Sequence, residues 1–317
     1  MRTTTVLSST LSSILLCGPA AMADANADTP RSTAQDHDIP MWMQGGHPTV
    51  AVQVNNSVEP LHFVIDSAAG ATVIDEATAR RIGLEDPTAQ GVAVEGATDR
   101  SALLRRSREA RWRVGSLSFQ AAAMQTDLSR LGSASPRRID GILGNDVTHA
   151  YDVTFDIAGQ QVTLQPPGTL KLDNACAANA LPHRDASMAH FGFVLMQLGT
   201  QKIDAVAVID TGAAQTILNG AAAKALGLST DGSDERLRVR EAGTRGLGDR
   251  AIETWLYTLP SLAMGPWAHA PLEVRISELP VFASLGLKER PALILGSDAM
   301  LDSRVQIGAE AAHVCLR

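Results

Sequence analysis

The chain has 317 residues, a formal net charge of −7, 45% hydrophobic residues and 19% charged residues. That is room for two ordinary domains, or one large bilobed domain, around a substantial core. The acidic balance argues against nucleic acid as the main partner, and the eight histidines show neither HExxH nor any other paired spacing that would hold a metal.

The first 23 residues read as an export signal. Arg2 is their only charge, Val6 to Cys17 is apolar and serine-rich, and "AAMADA" offers a cleavage site ending at Ala23. Lipid anchoring at Cys17 is disfavoured, because Leu15 and Leu16 precede it where a small residue is wanted. No later stretch is long and apolar enough to span a bilayer, so the mature protein is expected to be periplasmic or secreted, without stable membrane insertion. Residues 24–44 read as a mobile arm. Cleavage leaves Cys176 and Cys315. In an oxidising compartment they suggest one disulfide, with two independent buried thiols as the other reading.

The first structural pattern is "TVAVQVNNSVEPLHFVID", Thr49 to Asp66. It alternates, turns near Asn55 and Asn56, and alternates again, as a hairpin does. Small residues follow, then Thr72, then a short helix "EATARRIG" with Asp75 as its N-cap and Gly83 as its stop. "VEGATDRS" makes a glycine-containing polar stretch at Val94 to Ser101. "GILGNDV" at Gly141 to Val147 leads into the hairpin pattern "YDVTFDIAGQQVTL". The arginines at 105, 106, 108, 111 and 113 read as a solvated face.

After "QPPGTLKLDNACAANALP", which reads as a linker over 166–181, the whole series repeats. "FGFVLMQLGTQKIDAVAVID" ends at Asp210 and turns near Gly199 and Thr200. Asn219 and Gly227 bracket "GAAAKALG", Gly227 standing 17 residues after Asp210, as Gly83 stands 17 after Asp66. "EAGTRGLGDR" at Glu241 to Arg250 is the second polar stretch; its glycines do not fit a nucleotide-binding fingerprint. "LILGSDA" at Leu293 to Ala299 and "SRVQIGAEAAHVCL" close the copy. The two copies span 45–165 and 182–317. Short strands, few helices and many turns predict an all-β architecture of two pseudo-twofold-related, β-barrel-like lobes with short helices.

Pseudo-twofold packing would bring Asp66 and Asp210 face to face. Two such carboxyls cannot both ionise easily, so they share a proton and titrate as a pair. One can then activate a water while the other polarises a carbonyl. The hydroxyls of Ser67 and Thr211 can hydrogen-bond across or along the turns. Thr72 and Thr216 fit either plain strand positions or structural hydrogen bonding. Asp146 and Asp298 fit turn or capping roles better than catalytic ones.

On these residues the chain resembles retropepsin-like aspartic proteases, in a single-chain form with two copies of the unit. Asp210-Thr211-Gly212-Ala213 matches the family's D-[ST]-G-x loop and Asp66-Ser67-Ala68-Ala69 its first-copy equivalent. Ile142-Leu143-Gly144 and Ile294-Leu295-Gly296 match the strands behind those loops. The resemblance implies catalytic aspartates at 66 and 210, loop support from Ser67, Ala68, Thr211 and Gly212, flap tips near Gly96 and Gly246, no cofactor and no metal. It implies an exported endopeptidase acting on a peptide or protein substrate, expected as a monomer because one chain carries both halves. Ala68 departs from the family, which has glycine there. That departure keeps open an alternative: a non-catalytic peptide-binding protein with a degenerate cleft.

Overall fold

The computed structural model describes residues 35–55, 57–99, 102–131, 137–171, 181, 191–247, 250–269, 271–309 and 313–317. The expected signal segment with Cys17 and Ala23, most of the linker and Cys176 lie outside them. The first copy forms β1 (His37–Gln44), β2 (His47–Val54), β3 (Leu61–Ile65), β4 (Val73–Asp75), α1 (Glu76–Arg81), β5 (Gly91–Val94), β6 (Ala102–Arg106), β7 (Ala110–Val114), β8 (Leu117–Ala121), β9 (Met124–Thr126), β10 (Gly141–Leu143), α2 (Asn145–Thr148), β11 (Asp152–Asp156) and β12 (Gln161–Gln165). The second forms β13 (Phe193–Leu198), β14 (Ile203–Ile209), β15 (Ile217–Leu218), α3 (Gly220–Ala225), β16 (Arg238–Val239), β17 (Thr244–Arg245), β18 (Ala251–Ile252), β19 (Trp255–Leu259), β20 (Leu262–Met264), β21 (Trp267–His269), β22 (Leu272–Ile276), α4 (Pro280–Ser284), β23 (Ala292–Leu295), a 3-10 turn at Ser297–Ala299, β24 (Arg304–Ile307) and β25 (Val314–Leu316).

The protein is therefore a mostly β, two-lobed molecule, as the repeat implies. β2 shows why: Val50, Val52 and Val54 are buried while Ala51 between them is exposed, the period-2 pattern of a half-buried strand. Asn55 turns the hairpin at φ 53. Asp75 caps α1 by accepting from the Thr78 amide at 2.8 Å, and Asn219 caps α3 by accepting from Ala222 at 2.8 Å. Gly83 and Gly227 end these helices in the left-handed region, at φ +75 and +69.

Each lobe threads its I-L-G strand between two others. β10 runs parallel to β3 and antiparallel to β4, so Ile142 lies opposite both Val64 and Val73. β23 does the same between β14 and β15, with Ile294 opposite Val208 and Ile217. The chain leaving β3 or β14 must cross the end of this central strand to reach β4 or β15. Asp66 and Asp210 stand at those crossings.

The lobes are joined by a shared sheet. β11 pairs with β24 of the second copy, Phe155 opposite Val305, with β12 and β25 outside them. The closing hairpins of the two copies thus pair with each other. The N-terminal half of β1 extends this sheet beside β12, and its C-terminal half pairs with β2. The expected arm over 24–44 accordingly ends before His37. His37, Ile39 and Met41 are buried, alternating with exposed Asp38 and Pro40, so that segment is bound as a strand.

Candidate active site

Asp66 and Asp210 are fixed from behind. Each donates its amide to the last residue of the central strand: Asp66 to the Leu143 carbonyl and Asp210 to the Leu295 carbonyl, both at 3.0 Å. Oδ1 of Asp66 accepts from the Ala68 amide and Oδ1 of Asp210 from the Ala213 amide, both at 2.8 Å. Both side chains are buried, and Oδ2 of each meets no protein hydrogen-bond donor.

The next residue of each loop grips the opposite lobe. The Ser67 amide donates to Thr211 Oγ1 and the Thr211 amide to Ser67 Oγ, each at 3.0 Å. The hydroxyls then pass their own protons on. Ser67 Oγ donates to the Ile209 carbonyl and Thr211 Oγ1 to the Ile65 carbonyl, each at 2.8 Å. Four hydrogen bonds across the interface tie the two loops into one rigid unit.

Thr72 and Thr216 take the hydrogen-bonding role rather than a plain strand role. Thr72 Oγ1 donates to Asp146 at 2.8 Å and accepts from the Gly144 amide; Thr216 Oγ1 donates to Asp298 at 2.8 Å and accepts from the Gly296 amide. Asp146 and Asp298 are the anchors of these loops. Gly144 and Gly296 are small because a β-carbon there would meet the loop backbone, at 2.6 Å from Ala71 and 2.5 Å from Gln215.

The position after the grip differs between lobes. Gly212 lies directly against the Asp66 carboxyl, where a β-carbon would overlap Oδ2 and Cγ. Ala68 does not occupy the left-handed region, so its methyl carries no φ strain; it is fully buried in a cluster with Ala97, Phe191 and Ala213.

Burial pushes the Asp66 carboxyl well above the ordinary carboxylate range, and the Asp210 charge pushes it the same way. Burial raises Asp210 too, while backbone hydrogen bonds and the Asp66 carboxyl oppose that rise. The two carboxyls therefore titrate as one pair, with burial favouring a state in which they hold a proton between them.

Two hairpins pack on the clusters that hold Ala68, Ala69 and Ala213 of these loops. β5 and β6 turn through Gly96, whose amide bonds the Asp99 carbonyl at 2.9 Å. β17 and β18 pair beside Gly246. The Gly246 amide donates to Thr98 Oγ1 at 3.0 Å, so the hairpins of the two lobes meet. Ala97 of the first reaches the second lobe's cluster, and Leu247 of the second packs on the first lobe's. Gly96 thus lies beside the meeting point and Gly246 at it. Ala97, Thr98 and Leu247 were missed from the sequence, where no periodicity marks them.

His47, also missed, supports the second loop from the first lobe. It is buried, and its Nδ1 donates to the Gly212 carbonyl at 2.8 Å. Burial pushes its pKa down to about 4. The signal available was the repeat itself: His47 aligns with Phe191, a polar residue at an apolar counterpart position. Cys315 is disulfide-bonded; its expected partner, Cys176, lies outside the described residues.

A family model described as Aspartyl protease matches residues 50–147 and 197–299, together more than half of the chain. The chain belongs to the aspartyl protease family. Each aspartyl protease unit runs from within the first strand of the hairpin before its aspartate to just past its I-L-G segment, and the strands that join the lobes lie beyond the matched regions. A comparison with curated proteins returns no match.

Proposed function

We propose that the protein is an aspartic endopeptidase that hydrolyses peptide bonds with a water activated by Asp66 and Asp210. The observation that carries this reading is the buried carboxyl pair, clamped by reciprocal Ser67 and Thr211 hydrogen bonds, with burial raising the pKa of both carboxyls. The Oδ2 atoms, which meet no protein donor, are the ones left to hold that water. Asp210 takes a proton from that water as its oxygen attacks the carbonyl carbon, and Asp66 gives its proton to the carbonyl oxygen. When the tetrahedral diol collapses, Asp210 passes its proton to the leaving nitrogen and Asp66 recovers one from the diol. Ala97, Thr98 and Thr244 are buried and the hairpins are bonded through Thr98 and Gly246, so a substrate entering between the hairpins would part that contact.

One chain supplies both loops, which supports action as a monomer. The N-terminal pattern up to Ala23 and the disulfide at Cys315 support export to a periplasmic or extracellular, oxidising compartment. Ala68 favoured a non-catalytic peptide-binding protein, but its amide still bonds Asp66 as an active loop requires. Incubation of the purified protein with a diverse peptide library, with and without an aspartic-protease inhibitor, tests the reading. Inhibitor-sensitive cleavage within peptides is expected; binding without cleavage would select the alternative.

A further inference from the structure

Each aspartate is held through Oδ1 by a loop peptide, and the carbonyl of that same peptide is held by a side chain of the first lobe. Oδ1 of Asp210 accepts from the Ala213 amide, which shares its peptide group with the Gly212 carbonyl. That carbonyl accepts from His47 Nδ1 at 2.8 Å. Oδ1 of Asp66 accepts from the Ala68 amide, which shares its peptide group with the Ser67 carbonyl. That carbonyl accepts from Asn145 Nδ2 at 2.5 Å. Both chains run from a side-chain N–H through a peptide C=O and N–H to a carboxylate. Hydrogen bonds linked in this way polarise one another, so a donor on the carbonyl strengthens the bond from the N–H to the carboxylate.

The duplication does not account for the match. Asn145 follows Gly144 as Ser297 follows Gly296, and their amides make equivalent bonds, to the Ala69 carbonyl at 2.7 Å and the Ala213 carbonyl at 2.8 Å. Their side chains diverge. Asn145 reaches its own lobe's loop, whereas the Ser297 hydroxyl donates to the Gly46 carbonyl in the other lobe. Gly46 also lies close against Ala214, where a β-carbon on it would stand 2.9 Å from that of Ala214. The turn between β1 and β2 is seated on the second loop in this way, and its next residue, His47, supplies the donor that Ser297 does not.

Packing does not call for an imidazole there. Phe191, the counterpart of His47 in the repeat, is buried in an apolar cluster. His47 is fully buried, and its Nε2 meets no protein hydrogen-bond partner among the described residues. An apolar side chain would avoid that cost. Two different side chains, on different elements, thus end on the two peptides that hold the catalytic carboxyls.

We propose that His47 and Asn145 are positioning residues of the aspartate pair: by donating to the Gly212 and Ser67 carbonyls they fix and polarise the peptides that hold Asp210 and Asp66, and so favour the ionised form of the pair that activates water. The proposal rests on the peptidase reading and adds two residues to its machinery. Losing either donor weakens a bond to the charged carboxylate, so the pair should ionise at higher pH. Asp66 and Asp210 act on each other directly; His47, which burial keeps neutral above about pH 4, acts through the peptide. The test uses His47→Phe, which copies Phe191, and Asn145→Ser, which copies Ser297, each confirmed folded by circular dichroism. Either should lower peptide kcat by about 10-fold or more with KM changed less than about threefold, because each residue acts through a loop rather than on the substrate. The acid limb of the kcat/KM profile should move up by about 0.5 in pH. His47→Asn, whose Nδ2 stands as many bonds from the backbone as Nδ1, should bring both back towards the wild type. An acid limb unmoved in a folded variant overturns the role of that residue, whatever happens to kcat, and either variant carries the test if the other does not fold. Should the wild type hydrolyse no peptide, the peptidase reading falls. The titration of the pair, followed by 13C NMR of aspartate-labelled protein and assigned with Asp66→Asn and Asp210→Asn, then judges the positioning. Ionisation at the same pH in the wild type and both variants overturns it.

Discussion

Gly212 and Asp66 meet across the lobe interface with no room for a methyl group between them: a β-carbon on Gly212 would overlap the carboxyl and stand 2.8 Å even from its far oxygen, Oδ1. The reverse position, Ala68, carries a methyl buried in the same hydrophobic cluster as Phe191. The two loops are equivalent in the grip and unequal at the next residue, so the pair has a built-in asymmetry.

Gly212→Ala should therefore displace Asp66 and lower peptide kcat/KM by at least about 100-fold, the scale for a 1 Å misplacement. Ala68→Gly should change it by only a few-fold, since its methyl is unstrained. Wild-type turnover in Gly212→Ala would show that the Asp66 carboxyl can move aside freely.

The cross-lobe grip makes a stability prediction. Ser67→Ala leaves the Thr211 amide and the Ile209 carbonyl buried without their partner; Thr211→Val does the same to the Ser67 amide and the Ile65 carbonyl. Each change should cost about 2–4 kcal/mol in urea unfolding. The double variant should cost less than the sum, because both sites belong to one network. Strict additivity would mean the four bonds act independently.

His47 links stability to pH. The unfolded imidazole takes up its proton near the ordinary value of about 6.5, whereas the buried one resists until about 4. Between those values the unfolded state binds the extra proton. Stability present above about pH 6.5 is thus lost as the pH falls and levels off below about pH 4, a total of about 3 kcal/mol. His47→Phe, which copies Phe191, should remove that component. Chemical unfolding of both proteins at about pH 7 and pH 4 measures it; equal pH dependence in the two would refute the assignment.

The raised carboxyls set the activity profile. Ala69 and Ala213 place no hydroxyl beside the aspartates to stabilise their charged forms, and burial raises both. The active form, with one proton on the pair, should persist to weakly acidic pH. Turnover at about pH 6 should exceed that at about pH 3.5, near the value for free aspartate. A maximum below that value would contradict it.

Local chemistry made much of this legible beforehand. Asp75 and Asn219 announce helix starts by residue type, and the repeat pairs Asp66 with Asp210 without any knowledge of the fold. What the sequence left open depends on which segments meet across the lobes. The contact of Thr98 with Gly246 joins two loops whose own residues carry no period. The pairing of β11 with β24 is a choice of neighbour between hairpins, which alternation within each cannot specify. The strand at His37–Gln44 alternates in burial, yet Pro40 and its place in an expected N-terminal arm disguised it. His47 reads as an ordinary strand-end residue until the Gly212 carbonyl is found beside it.

The central claim is that Asp66 and Asp210 act as one unit on peptide bonds. The most direct measurement is peptide hydrolysis by Asp66→Asn, Asp210→Asn and the double variant, each confirmed folded by circular dichroism. Each single change should abolish nearly all activity, and the double should be little worse than either, because the groups work together. Substantial cleavage by either single variant would contradict the account.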